Sequence, residues 1–173
     1  MTLEFIAAIA AAFLGAGLGM ILRWLSRGLL PRWIVPALAG AGMLGFSIWN
    51  EYAWYPRLVA GLPAGATVAE AGESRAPWRP WTHVVPLVER AVVVDHRRSM
   101  RNETAPDLLL TEVFLFGRWQ DTRSQMVMFD CARPARVDVT AAVAFDADGT
   151  LRGGTWTPLD RDDPVLRTAC DGG

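Results

Sequence analysis

The chain of 173 residues has no lysine: all 17 of its basic residues are arginine. A GC-rich coding sequence explains that bias, so it is not read as phosphate recognition. Cysteine and histidine are almost as scarce, with two of each. His83 and His96 lie 13 residues apart with no cysteine beside them, short of the three or four spaced ligands a zinc ion needs. No Gly-x-Ser-x-Gly elbow, phosphate loop or dinucleotide fingerprint occurs. No catalytic residue, metal or cofactor is therefore expected. Residues 51–173 carry 14 Arg against 17 Asp and Glu, which argues against a nucleic-acid partner.

Charge is nearly missing from residues 3–55, where Glu4, Arg23, Arg27, Arg32 and Glu51 are all there is. What fills that region is apolar. Phe5 to Leu25 makes a first run of 21 residues, about 30 Å as a helix and enough for a hydrocarbon core. A second run goes from Trp33 to Ala53, with Pro36 near its start, where a missing amide proton costs little. The expectation is a membrane α-helical hairpin of two transmembrane helices. A cleaved signal peptide is the alternative, since small residues near Ala16 resemble a cleavage site. The opening Met-Thr-Leu-Glu lacks the basic n-region a signal peptide carries. A buried hairpin of a soluble protein is disfavoured by the length and charge-poverty of both runs.

Arg23, Arg27 and Arg32 cluster in the connector, which the positive-inside rule places in the cytoplasm. Both termini then face the periplasm of a bacterial inner membrane, with Arg57 as the one opposing charge. Trp24 and Trp33 at the connector end, and Trp49, Tyr52, Trp54 and Tyr55 at the exit of the second helix, read as interface aromatics. Small residues recur every fourth position: Ala7, Ala11, Gly15 and Gly19 on the first helix, Ala37, Ala41 and Gly45 on the second. Such ladders let helices pack closely in lipid, against each other or against another membrane protein or a second copy. No ionisable residue sits near either helix centre, which argues against a transport pathway.

The chain divides as 1–28 (first helix and start of the connector), 29–56 (second helix), 57–66 (linker) and 67–173. The last part is expected to be a periplasmic α+β domain, mainly antiparallel sheet with a C-terminal helix. Strands are predicted at Thr67–Ser74, Ala91–Asp95, Leu108–Trp119, Ser124–Asp130, Arg136–Phe145 and Thr150–Thr157. His96–Pro106 reads as a loop; its basic start could be solvated or touch lipid headgroups. Gln120–Arg123 reads as a turn. Asp146-Ala-Asp-Gly149 reads as a hairpin turn rather than a calcium loop, since the later ligands are missing. A helix is predicted over Asp162–Cys170, capped by Asp162 or Asp163 with Pro164 in its first turn. Between the first two strands, Arg75-Ala-Pro-Trp-Arg-Pro-Trp-Thr-His83 is extended, its Trp rings capping the core or lying on a membrane. Cys131 and Cys170 are a candidate disulfide in an oxidising compartment; a nucleophilic Cys131 beside Asp130 is the alternative.

Asp130-Cys131, an Arg-bearing strand, Phe145-Asp-Ala-Asp-Gly149, Trp156-Thr-Pro-Leu159 and a helix ending in Cys170 together resemble the C-terminal half of surface-adhesin E-like domains. That resemblance covers about 45 residues and implies a paired Cys131–Cys170 on an antiparallel sheet. Those domains are usually lipoproteins or secreted, so their binding functions are not carried over. The whole chain also resembles small uncharacterised alphaproteobacterial membrane proteins, through Trp49-Asn-Glu-Tyr52 and Arg75-Ala-Pro-Trp-Arg-Pro-Trp81. The functional expectation is a non-enzymatic, membrane-anchored accessory or assembly protein of a larger inner-membrane complex. The alternative is an envelope sensor or binding module for a small ligand, peptide or cell-wall fragment.

Overall fold

The computed structural model of the chain describes residues 2–101, 105–140, 144–145 and 151–172. It divides into two compact units, Met1–Pro56 and Arg57–Gly173, each treated by itself.

The first unit contains α1 (Thr2–Leu25) and most of α2 (Ile34–Gly61). Glu4 in the first turn of α1 and Arg23 in its last match the sign of the helix dipole. After Leu25 the chain reverses through Arg27 (φ 53°) and Gly28 (φ 83°), and the Gly28 amide donates to the Arg23 carbonyl at 3.1 Å. A left-handed residue pair of this kind satisfies the last carbonyls of a helix. Among the described residues one helix, Leu3–Leu25, is long and apolar enough to cross a membrane. α2, over which the second span is predicted, carries Asn50, Glu51 and Arg57 and runs on to Gly61. Half of the expected 57–66 linker is thus helical. Pro56 lies inside α2, removing one backbone hydrogen bond at the boundary between the two units.

The helices approach backbone to backbone. Gly15 and Gly19 are buried. A Cβ at Gly15 would collide with the Leu38 carbonyl, one at Gly19 would stand 2.9 Å from the Val35 Cα, and one at Gly42 would stand 2.5 Å from the Ala11 carbonyl oxygen. On α1 the approach runs through Ala11, Gly15 and Gly19. On α2 the predicted stripe lies elsewhere: Ala37, Ala41 and Gly45 are exposed, and a Cβ on Gly45 would meet open space. The contacting face is Val35, Leu38, Ala39 and Gly42, an i, i+3, i+4, i+7 set. Near the other end Asn50, only 7% exposed, donates its amide to Glu4 Oε1 at 3.0 Å, a polar tie between helices of the sort that helps orient a pair.

The second unit is a curled, six-stranded antiparallel sheet ordered β1-β2-β3-β4-β5-β8. The strands are β1 (Ala66–Ser74), β2 (Leu87–Arg101), β3 (Leu108–Gly117), β4 (Gln120–Asp130), β5 (Ala135–Asp138) and β8 (Thr157–Pro158). A separate pair, β6 (Ala144–Phe145) and β7 (Leu151–Arg152), is antiparallel too. α3 (Pro164–Asp171) closes the chain. Its N-cap is Asp163, whose carboxylate accepts from the Val165 and Leu166 amides at 2.9 Å each.

Four of the predicted segments need correcting. β2 does not stop at Asp95; it continues to Arg101, with an irregularity between Asp95 and Met100 that lets Met100 face Leu110. The polar run stays extended because its charges are paired: Arg97 Nη2 meets Asp95 Oδ2 at 2.7 Å and Arg98 Nη1 meets Glu112 Oε2 at 2.7 Å. Gln120–Arg123 is strand rather than turn, pairing Leu115 with Arg123 and Gly117 with Gln120. The reversal is the two residues Arg118-Trp119. The predicted Arg136–Phe145 and Thr150–Thr157 strands are each broken into two short pieces, β5 and β6, and β7 and β8. The proposed Asp146–Gly149 turn lies outside the described residues.

The core lies between α3 and one sheet face. Val94, Leu109, Val113, Val127 and Phe129 pack under Val165, Leu166 and Ala169. At the edge, β1 is interrupted by two register shifts, between Val68 and Glu70 and between Gly72 and Glu73. Such bulges make an edge a poor template for pairing with another chain.

Candidate functional site: the uncovered end of the sheet

A helix of eight residues is about 12 Å long, whereas an eleven-residue strand such as β4 spans about 36 Å. α3 therefore roofs only part of its sheet face. Its position is set by three things: the Asp163 cap, the buried Leu166 and Ala169, and the Cys131–Cys170 disulfide. That bond joins sulfurs across a Cα–Cα distance of 6.0 Å and a sequence separation of 39. Asp130, which is buried, prepares the β4 end of the bond. Its Oδ1 accepts from the Ala132 amide at 3.1 Å and the Arg133 amide at 2.8 Å, holding the turn that presents Cys131. At the other end Arg101 Nη2 donates to the Cys170 carbonyl at 3.1 Å. With both cysteines bonded and none free, the nucleophile reading of Cys131 is overturned.

Beyond α3 the same face is open and forms a cleft of about 470 Å³. Val92 and Leu115 supply its apolar floor, with Glu70 and Glu73 on one side and Arg90 and Arg123 on the others. Glu89 and Asp121 also line it, and neither histidine nor cysteine does. An apolar floor rimmed by both signs of charge suits an extended, mixed-charge segment better than a single ion.

The two histidines are not brought together. His83 ends a short 3₁₀ turn (Pro80–His83) and is exposed. His96 lies toward the other end of β2, where its ring abuts Gly172 and its buried Nδ1 has no partner. Thr67, Asp162, Arg167 and Asp171 border it in a second hollow of about 430 Å³. Among the described residues no group of three or more His, Cys, Asp or Glu is placed to hold a metal ion. Of the aromatics singled out above, Trp24, Trp33 and Trp49 are exposed. Tyr52, Trp54 and Tyr55 are half-buried, and the Trp54 and Tyr55 rings meet edge to face at 6.2 Å.

Sequence reasoning missed the buried carboxylates of the extended β2. Asp95 and Glu112 are buried and stand opposite each other. The Arg97 side chain donates to Asp95 at 2.9 Å and 2.7 Å, and its backbone amide at 3.1 Å. These bonds, the guanidinium first, hold the Asp95 carboxyl below its ordinary value of 3.8 against the opposing effect of burial. A carboxyl depressed by folding stabilises the folded state above its unfolded pKa and loses that contribution as the pH falls through the folded one. Asp95→Asn is therefore expected to be less stable than the parent at neutral pH. The gap should close as the pH drops below 3.8, read by thermal unfolding across an acid series. A gap unchanged down to acid pH would refute the assignment.

Compared with family models, with curated proteins and with solved structures, the chain matches none.

Proposed function

We propose that this chain is a non-enzymatic accessory or assembly protein, anchored in a bacterial inner membrane by its N-terminal helices and holding a disulfide-closed sheet unit in the periplasm. One observation carries the reading: only 11% of the apolar stretch in α1 is buried within the protein. Phe5, Phe13, Leu14 and Met20 are among its exposed side chains. A contiguous apolar surface of that size needs lipid or another protein over it. The arginine connector supports a cytoplasmic bend. The disulfide supports an oxidising compartment for the sheet unit. In this reading α2 enters the bilayer alongside α1 through the Gly15, Gly19 and Gly42 approach, and the outer helix faces meet a larger membrane complex or a second copy.

The expected result is that the protein stays with membranes through an alkaline carbonate wash, and that a reporter fused after Gly173 is active only outside the cytoplasm. Purification in mild detergent should bring down a stoichiometric partner. Release by carbonate sinks the anchor; recovery as a lone monomer sinks the accessory role.

A second reading is an envelope binding module, favoured by the cleft over Val92 and Leu115. A thermal-shift screen with peptides and cell-wall fragments separates the two, because only the binding module gains stability from a cleft ligand, and Arg123→Glu should abolish that gain.

A further inference from the structure

The antiparallel register puts two connections at one end of the sheet. Ser74 pairs with Leu87, so the β1–β2 connection, residues 75–86, leaves from there. Arg90 pairs with Gly117, and the Arg118 amide donates to the Glu89 carbonyl at 2.9 Å, so the Arg118-Trp119 reversal lies beside it. The opposite end carries Arg101, Leu108 and Asp130. Trp156 belongs there too: its neighbour Thr157 pairs with Arg136, which in turn pairs with Phe129.

At the first end the usual sorting of residues is reversed. The buried residue of the β1–β2 connection is a threonine, Thr82, while Trp78 is 77% exposed and Val84 is 83% exposed. Val85 and Trp81 are exposed as well. The connection is not a loose one. Thr82 Oγ1 accepts from the Ala76 amide at 3.0 Å and donates to the Arg79 carbonyl at 2.7 Å. The Arg79 amide bonds the Ala76 carbonyl, and the Val84 and Val85 amides both reach the Trp81 carbonyl. These bonds hold the tryptophans and valines outward on a built platform. Across from it Trp119 is 52% exposed, with the Arg118 guanidinium 4.3 Å from its ring centre. Arg75 is exposed on the same connection, and Arg79 reaches Glu89 at 4.0 Å.

We propose that this end of the sheet, centred on Trp78, Val84 and Trp119, is a docking surface for the headgroup region of a phospholipid bilayer. Trp rings with an apolar body and a polar N–H settle at that level. Arginines beside them suit lipid phosphates. The chain supplies the occupant: 16 residues lie between Gly61 and Trp78, nine of them in β1, so the surface is tethered within about 60 Å of the helix end, which gives a high local concentration of bilayer. The inference rests on the membrane anchoring proposed above.

The test uses the full chain in vesicles of zwitterionic and anionic phospholipid whose acyl chains carry bromine near the headgroup, a contact quencher of tryptophan emission. The contribution of each ring is the difference between the parent and its Trp→Phe variant. Trp78 and Trp119 are each expected to lose emission, because interfacial rings sit at the headgroup level, while Trp156 loses none. Val84→Asp should restore the Trp78 emission without altering that of Trp156. Vesicle flotation reads the anchoring separately. If the protein floats while Trp78 is unquenched, or is quenched no more than Trp156, the docking surface is wrong and the anchor stands. If Trp78 is shielded from aqueous iodide yet untouched by brominated lipid, a protein covers this end instead, and the proposal falls. If the protein does not float, both readings fall.

Discussion

Replacing Cys131 by serine is expected to lower the stability of the sheet unit by about 4 kcal/mol, the loop-closure term for a ring of this length. The bond spans 39 residues, and that segment contains β5 to β8, whose strands are two to four residues long. Few ladder bonds hold them, so in the unfolded chain their freedom is large and the cross-link removes much of it. Once the bond is cut, α3 is retained by Val165, Leu166 and Ala169 with the Asp163 cap and by the Arg101 bond to the Cys170 carbonyl. Eight residues make a helix too short to persist alone. Chemical denaturation of the parent, of Cys131→Ser and of the parent under reductant provides the measurement. The last two should share a midpoint well below the first, and a midpoint unmoved by either change would show that the bond contributes nothing to the fold.

Phe129→Ala should cost 3–5 kcal/mol, the usual range for emptying a buried aromatic site. Phe129 is fully buried and faces Leu109 across the β3–β4 ladder beneath α3. The cavity would open under a helix that cannot sink to fill it, because Cys170 is bonded to Cys131, two positions along from Phe129. The same truncation at Leu115, on the floor of the open cleft and 45% exposed, should cost less than half as much, since fewer contacts are lost there. Phe129→Ala combined with Cys131→Ser should fall short of the sum, because freeing α3 lets it settle into the void and neighbouring sites couple. Denaturation midpoints of the four proteins decide this; strict additivity would mean that the helix does not lean on Phe129.

The candidate site was only partly legible beforehand. Cys131 and Cys170 could be paired on paper because two cysteines in one domain leave a single connectivity. The cleft could not be read, since it exists only because α3 is shorter than the strands it covers. Asp95 and Glu112 were hidden for a related reason. A run of His96, Arg97 and Arg98 looks like a solvated loop until the partner strand brings Glu112 opposite and makes the charges affordable as pairs. The Thr82 platform was invisible because the pattern rule expects tryptophan inside and threonine outside, and only the bonds to Ala76 and Arg79 reverse them.

Local chemistry along the chain determined an apolar α1 charged only near its two ends, the strands built on β-branched and aromatic runs, the Asp163-capped terminal helix and the means for one disulfide. These depend on neighbours a few positions apart, through helical and strand periods of 3.6 and 2. Tertiary structure alone decided which side of α2 meets α1. Small residues occur all around that helix, and the choice of Val35, Leu38, Ala39 and Gly42 over Ala37, Ala41 and Gly45 follows from where the Arg27-Gly28 reversal aims it. Tertiary structure likewise decided the gathering of Trp78, Val84 and Trp119 at one end of the sheet. Residues so far apart in sequence become neighbours only through strand register, and register is a property of the whole sheet rather than of any one segment.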